Sequence, residues 1–94
     1  MNSIETVAEA LNLTPERLQR ESLLALLESK IHALSIELGA ICRKHGADSY
    51  EALDQLIQEG QAQETNALDD FQRADHLEAK IRRLKTILLN QIDA

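Results

Sequence analysis

Two heptad seams dominate this chain. Leu24, Leu27, Ile31, Leu34, Leu38 and Ile41 follow at spacings of 3-4-3-4-3, and Ala74, Leu77, Ile81, Leu84 and Leu88 at 3-4-3-4. Apolar residues at that average spacing line up along one stripe of an α-helix, whereas a strand would need strict alternation. Each stretch is therefore expected to form a long helix that buries its stripe against another helix. Two such stripes in one chain of 94 residues predict an antiparallel helical hairpin and an all-α single domain spanning residues 1–94.

The helix boundaries are legible in the residues that cap them. Asn2 is placed to cap a first short helix, about residues 3–12, with Glu5 reaching back and Ile4, Val7, Ala8 and Leu11 on one face. Thr14-Pro15-Glu16 opens the next helix: a side-chain acceptor, a residue whose missing N–H costs nothing there, and an acid at the positive end. Gly39 costs about 1 kcal/mol relative to Ala, but the seam runs straight across it, so the helix is read as continuous from about 15 to 45. Lys44-His45-Gly46 is the stop, with cations at the negative end and Gly for the left-handed cap. Asp48 or Ser49 caps a short helix, about 49–59, carrying Tyr50, Leu53, Leu56 and Ile57 on one stripe and ending at Glu59-Gly60. Gln61 to Thr65 reads as a loop, and the last helix runs from about 66 to 92, with Leu68 and Phe71 near its start.

The hairpin sets residues 84–92 beside residues 23–34, where both helices lose their polar face. Leu23, Leu24, Leu26 and Leu27 wrap one helix, and Ile87, Leu88, Leu89 and Ile92 wrap the other. Such an end needs cover on more than one side, and the first short helix is expected to provide it. A second apolar line, Leu26, Ala33, Ile36 and Ala40, runs opposite the seam with Ser29 interrupting it. A lone hairpin leaves that line in water, which predicts a homodimer in which two hairpins form a four-helix bundle. Leu23, Leu26, Ala33, Ile36, Ala40, Leu89 and Ile92 are its candidate interface. The competing view makes Ala33 and Ala40 surface alanines that serve helix propensity.

Net charge is −6 and is unevenly spread: −1 over residues 1–47, −7 over 48–75 and +2 over 76–94. The acidic connection suits a basic partner protein, with Asp48, Glu51, Asp54, Glu59, Asp69 and Asp70 as candidate contacts. A solvated face that keeps a small protein soluble is the other reading of the same charges. The basic run Lys80, Arg82, Arg83, Lys85 reads as the solvent side of the seam, with Glu78 and Arg82 paired at i, i+4.

Little in the chain points to catalysis or metal. No phosphate loop or nucleophile motif is present, and the adjacent Asp69 and Asp70 point about 100° apart on a helix. No enzymatic activity and no cofactor are expected. Cys42 and His45 share a helical face, but structural zinc wants four ligands, and Glu-x-x-His is absent. The single Cys42 excludes an internal disulfide and fits a reducing, cytoplasmic setting. No apolar run approaches the roughly 18 residues of a membrane span, so no membrane association is expected.

Thr6 to Glu21 has the pattern of a helix-turn-helix, with Val7, Ala8, Leu11, Leu13 and Leu18 at core positions and Asn12 at the tight turn. Thr14, Arg17, Gln19 and Arg20 would then face DNA. Against this, the turn residue is usually Gly, Glu21 is charged where an apolar residue is usual, and the exposed face of this segment is neutral overall.

VAEALNLTPERLQRESLLALLE (7–28), GADSYEALDQLIQEG (46–60) and the helix at Phe71-Gln72-Arg73-Ala74-Asp75-His76-Leu77-Glu78 together resemble a loose group of small prokaryotic helical proteins regarded as antitoxin-like members of toxin–antitoxin pairs. Pro15–Glu28 also looks like the second helix of ribbon-helix-helix antitoxins, but residues 1–14 hold no strand-like alternation. The resemblance implies a non-enzymatic regulator that binds a basic, nuclease-type toxin. DNA-binding regulation through the N-terminal segment and a purely structural oligomerisation module are the alternatives.

Overall fold

The structure, a computed structural model, describes residues 3–60 and 65–93. Four helices follow in order, α1 (Ser3–Ala10), α2 (Pro15–Lys44), α3 (Tyr50–Gln58) and α4 (Thr65–Asp93), with no strand among the described residues. The suggested cap Asn2 and the connection 61–64 lie outside the described residues.

Local chemistry sets each helix end. Asn12 adopts φ 58, which stops α1 at Ala10, two residues earlier than the expected 12. The Leu13 N–H donates to the Ala8 carbonyl at 2.8 Å and the Asn12 N–H to the Glu9 carbonyl at 3.2 Å. That paired pattern is a Schellman stop, with Asn tolerating the left-handed position that Gly usually takes. Thr14 Oγ1 accepts from the Arg17 N–H at 3.1 Å, and Pro15 opens α2. α2 runs unbroken through Gly39 and closes on a second Schellman stop. There Gly46 sits at φ 75, and Ala47 and Gly46 donate to the carbonyls of Cys42 and Arg43 at 2.9 and 3.1 Å. Of the two candidate caps for α3, Ser49 takes the role, accepting from the Ala52 N–H at 3.1 Å.

α2 and α4 form an antiparallel hairpin whose register is pinned at three heights. Arg20 donates to the Gln91 carbonyl at 2.9 Å, Arg73 to Glu37 at 2.7 Å, and His45 Nε2 lies 2.9 Å from Asp70 Oδ2. The molecule measures 58 × 25 × 17 Å, so it is a rod only about one layer of helices thick.

The core is concentrated at the tip. α3 adds a third helix there, and Leu38, Cys42, Ala47, Leu53, Ala67, Phe71, Ala74, Leu77 and Ile81 are buried together. Toward the other end, where only two seams meet, Leu24, Leu27, Ile31, Leu34, Leu84 and Leu88 are half-buried. Two helices in contact cover only one side of each, so full burial needs a third.

α1 covers only the α2 half of the open end, where Leu23 and Leu26 line the groove between the two helices. It packs on α2 and has no backbone proximity to α4. The groove it forms with α2 is lined by Leu18, Ser22 and Leu26. α1 therefore covers α2 and not α4, where Leu89 and Ile92 stay exposed.

Candidate functional site

Two surfaces emerge: the acidic tip and the uncovered apolar faces. At the tip, the stop of α2 and the first turns of α4 are tied together by charge. Asp70 Oδ2 receives Lys44 Nζ at 2.8 Å and His45 Nε2 at 2.9 Å. These two donors hold the Asp70 carboxyl below its ordinary value, outweighing a small upward push from burial. The His45 ring also stacks, tilted, on Phe71 with centroids 4.9 Å apart. Across the same junction the Tyr50 hydroxyl donates to Asp75. That bond, more than partial burial, pushes the Tyr50 pKa up to about 12. The two large rings of the chain thus both brace the junction between α2, α3 and α4.

The six acidic candidates do not form one surface. Asp48, Glu51, Glu59 and Asp69 are exposed. Asp54 is half-buried and accepts from the Gln58 side chain at 2.9 Å, and Glu59 accepts from Gln55 at 3.3 Å. Asp70 faces inward to Lys44 and His45, so its charge is neutralised within the chain rather than offered to a partner. The sequence shows a cation pair at the α2 stop and an acid on α4. Which acid meets them depends on the hairpin register.

The candidate interface is different. Leu23, Leu26, Ala33, Ile36, Ala40, Leu89 and Ile92 are not buried in the hairpin core, with Leu26 at 57%, Ile36 at 56% and Leu89 at 59% of full exposure. Leu26 lines a groove of about 440 Å³ with Ile4, Val7, Leu18 and Leu23. Ala33, Ile36 and Ala40, further along α2, are exposed.

The DNA candidates are mostly engaged inside the chain. Thr14 caps α2, Arg17 pairs with Glu21 at 3.0 Å, and Arg20 caps the end of α4 through the Gln91 carbonyl. Gln19 lines the α1–α2 groove. Elsewhere, Cys42 is buried, which pushes its thiol pKa up, and the Cys42–His45 pair gains no further ligand among the described residues. Among those residues no group of three His, Cys, Asp or Glu side chains is placed to hold a metal ion. No described helix is long and apolar enough to cross a membrane.

No curated protein and no solved structure matches this chain. A family model described as "Uncharacterized protein MJ0235 family" matches residues 1–93, and the chain belongs to that family.

Proposed function

We propose that this protein is a non-enzymatic interaction module that works as a dimer of hairpins and presents its acidic tip to a basic partner protein. The observation that carries the reading is the back of α2. Leu26, Ala33 and Ile36 stand in solvent, with Ala40 continuing their line, on a helix whose other side is already packed on α4. Exposed apolar residues aligned along one helix face suit an interaction site. Two hairpins would supply the four helices of a bundle. Sedimentation at low micromolar concentration tests this: a dimer is expected, and a clean monomer overturns self-association.

The exposed acids Asp48, Glu51, Glu59 and Asp69 support the basic-partner half of the proposal. The antitoxin-like resemblance suggests its class, a nuclease-type toxin whose basic substrate site the tip would block. Charge reversal at Glu51, Asp54 and Asp69 is expected to weaken capture of a small basic protein encoded by the adjacent reading frame and to flatten its salt dependence. Unchanged affinity overturns the acidic docking surface.

DNA binding through Thr14, Arg17, Gln19 and Arg20 has less support, because three of the four side chains already hold helix ends or an intrahelical pair. A mobility-shift assay on flanking genomic DNA separates the two readings. If neither DNA nor a protein partner binds, the structural oligomerisation module is what remains.

A further inference from the structure

We infer that a second copy of this chain docks antiparallel along the outer face of α4, with the two-fold axis at His76 and with Asp69 of each copy set against Arg83 of the other. The contact goes beyond the proposed dimer. It lies on α4 rather than on the back of α2, and charge rather than an exposed apolar line selects its occupant.

The outer face is what remains once α4 has met its own chain. Asp70 holds Lys44 and His45, Arg73 holds Glu37, Asp75 accepts from Tyr50, and Glu78 pairs with Arg82. Asp69, His76, Lys80 and Arg83 are exposed and enter no ion pair among the described residues. Asp69, His76 and Arg83 follow one another at intervals of seven, so they stand in one line along the helix, apart from the seam of Ala74, Leu77, Ile81 and Leu84. An open groove of about 420 Å³ runs beside that line, bordered by His76, Ala79, Lys80, Arg83 and Leu84.

The line is its own complement. It reads acid, imidazole, base at equal steps. Turned end for end about His76, it meets a copy of itself with Asp69 on Arg83 and Arg83 on Asp69. Each Asp69 then also falls within one helical turn of Lys80 of the other copy. A parallel pair sets acid on acid and base on base instead, which complementary surfaces avoid. Sliding the partner by one heptad sets Asp69 against His76 or Asn90 and breaks both Asp69–Arg83 pairs.

Charge selects the direction and register, and buried area holds the contact, because exposed ion pairs contribute little affinity by themselves. The chain exposes 6908 Å², about 1,500 Å² more than the roughly 5,400 Å² expected of a compact monomer of 10.5 kDa. A standard interface removes about 800 Å² from each partner, so one lateral contact fits within the excess. The two Asp69–Arg83 pairs stand about 21 Å apart along the helix, from 1.5 Å of rise per residue. That exceeds the roughly 8 Å over which charges interact at physiological ionic strength, so each pair selects the register independently.

The experiment uses the full chain carrying Cys42→Ala and Ile36→Glu, which removes the native thiol and places a charge on the back of α2, with helicity checked by circular dichroism. Sedimentation is expected to show a dimer in this background. Arg83→Asp and Asp69→Arg are each expected to raise its dissociation constant by on the order of tenfold or more, and the two together to restore it to within about threefold. His76→Cys is expected to cross-link two copies on mild oxidation, through the residue on the axis. Single reversals that leave the dissociation constant unchanged, or a double variant no better than the singles, overturn the Asp69–Arg83 pairing. No cross-link at position 76 overturns the register. A wild-type dimer that Ile36→Glu converts to a monomer overturns the α4 contact but not the proposed dimer, and a wild-type monomer at every concentration overturns both.

Discussion

His45 and Asp70 meet at 2.9 Å across the hairpin, joining the residue that caps α2 to the first turns of α4. With Lys44 on the same carboxylate oxygen, this clasp fixes where the second long helix begins relative to the end of the first.

The clasp makes a pH prediction. Asp70 is held below its ordinary value of 3.8. A carboxyl lowered on folding contributes stability that is fully present above its unfolded value and is lost as pH falls through the folded one. Asp70→Asn is therefore expected to lower Tm at neutral pH. The gap between variant and wild type should close as the pH falls below the unfolded value of 3.8. Thermal melts from neutral pH down into strong acid check this, and a gap that persists at the acid end contradicts it.

Tyr50 is the only tyrosine and the chain has no tryptophan, so its ionisation is readable by absorbance alone. The expected titration midpoint is about 12 against an ordinary 10.0, and Asp75→Asn should move it back toward 10.0. Because the folded value is raised, the associated stability is complete below pH 10 and disappears as pH rises toward 12. A wild-type midpoint at the ordinary value contradicts the bond.

Leu53 and Leu77 are fully buried at 0% exposure. Leu53→Ala and Leu77→Ala are each expected to cost about 2–5 kcal/mol through lost transfer energy and the cavity left behind. Leu89→Ala, at an exposed position, should change stability by no more than about 0.5 kcal/mol. Urea unfolding of the three variants checks the contrast. Equal losses would mean that the open end is covered.

Two glycines should respond with opposite signs. Gly46 sits at φ 75, with open space where a methyl group would stand. Gly46→Ala therefore meets only backbone strain, about 1–2 kcal/mol. At Gly39, inside α2, a Cβ would meet Arg43 Nη1 at 3.2 Å, the far end of a side chain that can swing away. Gly39→Ala is expected to stabilise by about 0.5–1 kcal/mol from helix propensity. Denaturation midpoints read both directly.

The four helices and most of their ends were legible in the residues, because capping and periodicity act over four or five positions along the chain; the early stop of α1 at Asn12 was not, and the suggested cap Asn2 lies outside the described residues. Thr14, Ser49 and Gly46 do what their types dictate, and the seam carries α2 through Gly39. The line Leu26–Ala40 was likewise readable as apolar. What the tertiary structure decided is which distant groups meet. Asp70 turned inward rather than toward a partner, Arg20 reached Gln91, and α1 settled on α2 without reaching α4. Those outcomes depend on the register between two long helices and on which of them α1 packs against. Both are set by the packing of whole faces, which no local run of residues specifies.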